Sequence, residues 1–317
     1  MTTPDATISI SPLPALDPCD LTSLGEQRCW RWRGWRVRYT VLRASQPSHN
    51  LPLVLLHGFG ASLEQWRDNL GPLARDRTVY ALDLLGFGAS QKAAIAFNTN
   101  LWRSQVAEFC HTFIGQPVVL VGHSLGALVA LTTAVESPAL VSHLVLLTLP
   151  AAREELLSGW VETLSRLAER AFSTPLLIRP LFAWVRQPWV IRGALGSIYQ
   201  VRDRVDDGLV RQFVEPTRDR GAARTLCYLV RSRTDEHFTP QTQALVPQIT
   251  QPTLLLWGQR DRVIPLRWGQ RLAPLNPRVT LVEVPEAGHC LYDEYPEQIN
   301  HHIQDWLATV EPAGAEG

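Results

Sequence analysis

The stretch Val118-Val119-Leu120-Val121-Gly122-His123-Ser124-Leu125-Gly126 joins an unbroken apolar run to a glycine-flanked serine, and residues 125–136 continue in a helix pattern. Five more short runs share its first half: Leu53-Val54-Leu55-Leu56, Val79-Tyr80-Ala81-Leu82, Leu144-Val145-Leu146-Leu147, Leu254-Leu255-Leu256-Trp257 and Val279-Thr280-Leu281-Val282. Unbroken runs of this length suit strands buried on both faces, as in a parallel sheet covered by helices. Residues 62–74, 99–114, 267–275 and 296–309 have room for amphipathic helices between and after the runs. Such alternation predicts a doubly wound α/β fold with a mostly parallel sheet. Ahead of it, Trp35, Val37, Tyr39 and Val41 alternate with Arg36, Arg38, Thr40 and Leu42. This predicts an antiparallel strand pair that pivots on Gly34 and forms one edge of the sheet.

The rhythm breaks once. From Pro150 to about Gln251 no strand run occurs, only helix-like segments cut by Pro175, Pro180, Pro188 and Pro216. A strandless span of about a hundred residues is too long for a connecting loop. It reads as a helical cap over 150–251, inserted into a core made of 26–149 and 252–310. The ends, 1–25 and 311–317, read as poorly ordered tails.

Composition narrows the function. Acidic and basic residues balance at 30 each among 317, which disfavours a nucleic-acid binder, and 45% hydrophobic content disfavours general disorder. Lys92 is the sole lysine, a bias that nothing in the sequence explains. The cysteines (Cys19, Cys29, Cys110, Cys227, Cys290) form no CxxC pair and read as reduced thiols. The first basic residue is Arg28, so the stretch before it lacks the basic start of a secretory signal. No uninterrupted apolar run is long enough for a spanning helix. The expectation is a cytoplasmic protein, or one lying on a membrane surface.

The chemistry starts at Ser124. GxSxG alone arises by chance in about one chain in ten of this length. On a strand-to-helix turn, however, it lifts a serine hydroxyl above the sheet, with Gly122 and Gly126 permitting the close backbone approach. The hydroxyl needs a base, and the base an orienting carboxylate, in the order Ser, Asp/Glu, His. Asp261, in Gly258-Gln259-Arg260-Asp261, follows one strand; His289, after Gly288, follows the next. Of nine histidines only His289 has both the order and the element; His123 neighbours the serine but should point elsewhere. The earlier strand end at Thr148-Leu149-Pro150 carries no carboxylate, which favours Asp261 over Glu154, Asp235 or Glu236. Asp83 precedes the serine and reads as a structural turn acid. Acyl transfer also needs two N–H groups for the developing oxyanion. Leu125, after the serine, offers one, and Phe59 of His57-Gly58-Phe59-Gly60 the other.

HGFG, GHSLG, GQRD and GH together, in this order over about 30–310, resemble the α/β-hydrolase superfamily. The resemblance implies a serine esterase needing no metal or organic cofactor. Dehalogenases and epoxide hydrolases of that superfamily carry aspartate where this chain has Ser124. Asp83-Leu84-Leu85-Gly86-Phe87-Gly88-Ala89-Ser90, Val205-Asp206-Asp207-Gly208-Leu209-Val210 and Asp219-Arg220-Gly221-Ala222 are similar to a narrower group, the cyanobacterial and plastid pheophytinases and chlorophyll dephytylases. That similarity implies cleavage of the phytol ester of a chlorophyll pigment and contact with the thylakoid membrane. His123 stands where pheophytinases have Asn and dephytylases have His, a departure that tilts toward the Mg-containing pigment.

The cap adds its own signal. With Pro180 as a helix start and Pro188 as its end, Leu181, Phe182, Trp184 and Val185 share one side, opposite Arg179 and Arg186. Trp189 extends the apolar surface. Such a helix roofs a hydrophobic pocket, lies in a membrane interface, or simply packs on the core. The substrate expected is a hydrophobic small-molecule ester, chlorophyll or lipid-like. The alternatives are a lipase or general carboxylesterase and, in a different class, a ligand receptor that has kept the pocket without turnover.

Overall fold

Each short apolar run becomes a strand whose alternate side chains feed two separate cores. The computed structural model describes residues 24–45, 49–152, 155, 175–233, 235 and 238–311. The predicted tails thus lie almost wholly outside the described residues. The strands are β1 (Glu26–Trp32), β2 (Trp35–Leu42), β3 (Leu53–Leu56), β4 (Val79–Leu82), β5 (Val118–His123), β6 (Val141–Leu147), β7 (Thr253–Gly258) and β8 (Val279–Val284). They form one sheet in the order β1-β2-β4-β3-β5-β6-β7-β8. β1 pairs antiparallel with β2, and β2 with β4, while the other pairings are parallel. The expected antiparallel edge is therefore present, turning at Gly34, whose φ is +87°.

Period-two alternation decides which layer each strand residue meets. Val54, Leu56, Leu120 and Leu146 face Trp102, Val106 and Leu128, from α1 (Thr99–Phe113) and α2 (Leu125–Glu136). Leu53, Leu55, Val121 and Leu147 face the opposite layer, with Trp66, Ile299 and Ile303. A fully buried side chain of this size contributes about 1.5–3 kcal/mol relative to exposure. β3, with all four residues buried, is thus held from both sides.

Between β6 and β7 the described residues are helical or irregular, with α3 (Pro175–Val185), α4 (Pro188–Ile198), α5 (Asp207–Val214) and α6 (Ala222–Ser232). This insertion has its own apolar cluster around Leu195, Tyr199, Leu209 and Val214, into which Cys290 of the core also packs. After β7 come α7 (Arg267–Leu272) and, after β8, α8 (Pro296–Val310).

Three expectations need correction. Residues 62–74 do not form one helix: a 3-10 turn at Leu63–Trp66 and one α-turn at Leu70–Leu73 replace it. Ser62 caps the first by accepting the Glu64 N–H, and Asp83 Oδ1 accepts the Leu63 N–H, so side chains hold the segment as separate turns. Pro180 lies inside α3 instead of starting it. Pro188 opens α4, where its missing N–H leaves no helical bond unmade. Finally, Phe182 lines a cleft with Arg179 and Arg186 instead of opposing them, because positions 179, 182, 183 and 186 share one helical stripe.

Candidate active site

β5 ends at His123 and α2 starts at Leu125, so Ser124 alone makes the turn. Its φ of +51° and ψ of −115° lie where a non-glycine residue is strained. The surroundings over-determine it. The Ser124 N–H donates to the Leu147 carbonyl at 2.9 Å, and the Ser124 carbonyl accepts the Leu128 N–H at 3.1 Å. A Cβ on Gly122 would sit 2.3 Å from the Gly126 carbonyl oxygen, and one on Gly126 2.3 Å from that of Leu56. Only glycine lets α2 start this close to β5 and β3.

The HGFG loop abuts this turn. A Cβ on Gly58 would meet His123 Nδ1 at 2.8 Å and Ser124 Cβ at 3.4 Å. His57 is fully buried, and desolvation holds its pKa below the ordinary value. As a neutral ring it donates from Nδ1 to the Gly58 carbonyl at 2.7 Å and accepts the Leu84 N–H on Nε2 at 3.0 Å. Gly60 completes the loop with a φ of +74°. Among the described residues no loop or turn hydrogen bond takes the N–H of Phe59 or Leu125. The Phe59 ring is half exposed and meets Phe87 edge-on, whereas the Leu125 side chain is buried.

Asp261 and His289 come from the loops after β7 and β8. His289 Nδ1 lies 2.9 Å from Asp261 Oδ2, with both side chains nearly buried. Asp261 Oδ1 accepts the N–H groups of Val263 at 2.7 Å and Ile264 at 2.8 Å, which fixes the carboxylate plane. The two loops touch: a Cβ on Gly258 would lie 2.3 Å from the Gly288 carbonyl oxygen. His123 ties the elbow to this pair. Burial and the neighbouring His289 hold its pKa well below the usual range, so it stays neutral and donates from Nε2 to the His289 carbonyl at 2.9 Å. The rings of His123 and His289 are 4.8 Å apart. Ser124 Oγ makes no hydrogen bond among the described residues.

Asp83 is committed elsewhere: it accepts from Leu63 and Ala89 N–H groups and pairs with Arg38 Nε at 2.6 Å. Glu154 and Glu236 lie outside the described residues. Leu181, Trp184, Val185 and Trp189 are exposed, so they do not pack on the core.

One group of site neighbours has no local sequence signal. The turn Leu291–Glu294 follows His289 directly. Glu294 Oε2 accepts the N–H groups of Gln200 at 2.7 Å and Val201 at 3.2 Å, both from the insertion. Asp293, with no accessible side-chain surface, accepts from Tyr199 OH at 2.7 Å, Arg204 Nη2 at 2.6 Å and Arg67 Nε at 3.3 Å. The histidine loop and the insertion are thus bolted together.

A nucleophile-type turn after the third parallel strand of the run, with partners on the last two strand ends, is a known arrangement of loops on a sheet. The chain belongs to the alpha/beta hydrolase family, whose model matches residues 53–302. It is therefore a hydrolase with a small-molecule substrate. Among its relatives, an uncharacterized hydrolase, YugF, of Bacillus subtilis (strain 168) is 28% identical over 80% of this chain and 89% of its own length. The chloroplastic pheophytinase of Arabidopsis thaliana is 26% identical over 89% of this chain and 67% of its own. Among solved structures, a membrane phospholipase A described as a bacterial virulence factor superposes with a TM-score of 0.74 at 26% identity, covering 93% of this chain and 90% of that one.

Proposed function

We propose that the chain is a serine carboxylic-ester hydrolase in which Ser124, Asp261 and His289 act as a triad. The observation that carries this is the 2.9 Å Asp261–His289 contact beside a strained elbow serine. With Asp261 holding Nδ1–H, His289 Nε2 is the free base. It takes the Ser124 proton as Oγ attacks the ester carbonyl, and Asp261 stabilises the resulting imidazolium. The Phe59 and Leu125 N–H groups receive the oxyanion. Collapse expels the alcohol with the proton from His289 and leaves an acyl-Ser124. Water, deprotonated by His289, attacks that acyl group and releases the acid and free Ser124. No step requires a metal or organic cofactor.

For the substrate we infer a lipophilic ester, and specifically the phytyl ester of chlorophyll, yielding chlorophyllide and phytol. The pheophytinase similarity across most of the chain supports this reading, as does the helical insertion, taken as a cap over 150–251. Its exposed apolar residues suit peripheral contact with the membrane that carries such a pigment. The similarity to a membrane phospholipase A favours a second reading, a lipase or carboxylesterase for long acyl chains.

A product assay separates them. Wild type and Ser124→Ala are each incubated with detergent-dispersed chlorophyll a, pheophytin a and a long-chain p-nitrophenyl ester, and phytol and free acid are quantified by chromatography. Phytol release by wild type alone, faster than hydrolysis of the synthetic ester, is expected. Turnover of the synthetic ester with both pigments intact would discard the pigment and keep the esterase.

A further inference from the structure

Helix α3 has two faces that the proposed chemistry leaves unused. Arg179, Phe182 and Arg186 on one face form a wall of a cleft of about 400 Å³, and Arg220 and Arg224, at the start of α6, stand in the other wall. Among the described residues the cleft has one carboxylate, Asp219, and Lys92 Nζ already holds it at 3.0 Å. None of the four guanidinium groups forms an ion pair among the described residues. Among the described residues, four positive charges without an ion-pair partner around a concave surface are a strong local excess in a chain whose charges balance overall.

Beside this cleft the same helix presents Leu181 and Trp184, each 53% exposed, and Val185, 39% exposed. Trp189, at the start of α4, is 63% exposed, and its ring meets that of Trp184 edge-on at 5.7 Å. Exposed tryptophans and aliphatic residues grouped at one corner are uncommon on a fully solvated surface. Tryptophan prefers the headgroup level of a bilayer, where its ring is half in hydrocarbon and its N–H remains wet. Arginine matches a phosphate diester with two parallel N–H donors, and it does so best when desolvated in a cleft.

We propose that this corner docks the protein on a bilayer containing anionic phospholipid. The arginine cleft takes the phosphate-bearing headgroup, while Leu181, Trp184, Val185 and Trp189 enter the interface. Charge complementarity selects this occupant: a purely zwitterionic surface offers no net negative charge for four unpaired arginines, and an uncharged protein partner would leave them buried without counter-ions. The inference rests on the lipophilic-ester reading for its purpose, since it places the insertion where such a substrate is dissolved. Its test does not depend on turnover.

The test is flotation of the full chain with extruded phosphatidylcholine vesicles, with and without phosphatidylglycerol. Each basic residue near an anionic surface strengthens binding about fivefold, so the Arg179→Glu, Arg186→Glu double variant is expected to lose at least about 25-fold in partition onto the anionic vesicles. Trp184→Ser with Trp189→Ser weakens binding to both vesicle types. Arg278→Glu, an exposed change just before β8, binds like wild type once its two-unit change of charge is allowed for. Raised salt releases the wild type. Ser124→Ala floats as wild type does, so loss of the esterase reading and loss of this one are seen separately. Equal partition onto the two vesicle types, or anionic binding indifferent to salt, overturns the proposal even if the arginine variant does not fold. Displacement by millimolar glycerol phosphate would assign the cleft to a soluble phosphate ester and overturn the bilayer as its occupant.

Discussion

Ser124 is held in an unfavourable conformation by neighbours that cannot change size. Gly126 has no room for a side chain, because its Cβ would lie 2.3 Å from the carbonyl oxygen of Leu56 in β3, which is covered on both faces. Gly126→Ala is expected to cost about 1–3 kcal/mol, the usual range for overpacking, visible as a lower denaturant midpoint at an unchanged slope. His123 has a different task. Its Nε2–H satisfies the carbonyl of His289, so His123→Phe leaves a buried acceptor unpaired and is expected to cost about 1–3 kcal/mol. His123→Asn, which keeps a side-chain N–H, should cost less in the same melt. Asp261→Asn tests the orienting role: kcat is expected to fall about 10⁴-fold with little change in KM, because the imidazole loses the correct tautomer and the stabilisation of its cation. These residues were legible beforehand because each sits at a strand end with a sequence neighbour that marks the turn. The role of His123 was not, since its partner is a backbone carbonyl 166 positions away.

The strands were readable for a simple reason: a four-residue apolar run has no other way to bury both faces. Helices were readable where length and periodicity agreed, as in α1, α2 and α8. The segment after β3 was misread because polar side chains, Ser62 and Asp83, satisfy its backbone as isolated turns. α3 departs from its sequence reading because Pro180 is tolerated inside a helix that lies largely at the surface, with Ile178 buried just before it. The turn Leu291–Glu294 was invisible because its partners lie 89 to 226 positions away. Asp293→Ala is expected to destabilise by about 1–3 kcal/mol, since the buried Tyr199 hydroxyl loses its acceptor while Arg67 and Arg204 keep Asp68 as a partner. Calorimetry on the variant checks this. A loss confined to kcat with an unchanged melting temperature would mean that the bolt between insertion and histidine loop carries no folding energy.

Among the described residues three buried histidines have pKa values lowered by desolvation: His57, His123 and His143. In the folded state they stay neutral, whereas in the unfolded chain they take up protons below about pH 6.5. The unfolded state then binds more protons, so their contribution is fully present above that pH and is lost as the pH falls through their folded values. Glu294 acts in the opposite sense: burial raises its pKa, so its contribution is greatest at low pH and declines as pH rises past the ordinary glutamate value. With three groups against one, the melting temperature is expected to fall between pH 7.5 and pH 5, and a thermal melt series reads it directly. The doubly wound core follows from runs and punctuation in the chain. The insertion's arginine cleft does not, because α3 and the start of α6 meet only in three dimensions.

The central claim is that Ser124 forms an acyl-enzyme with His289 as its base. Stopping the reaction with a long-chain p-nitrophenyl ester early in turnover and mapping the acyl group by peptide mass spectrometry tests it most directly. A burst of about one equivalent of p-nitrophenol is expected, with the acyl group on the peptide containing Ser124 and neither signal in Ser124→Ala. An acyl group on another residue, or undiminished turnover in Ser124→Ala, would contradict it.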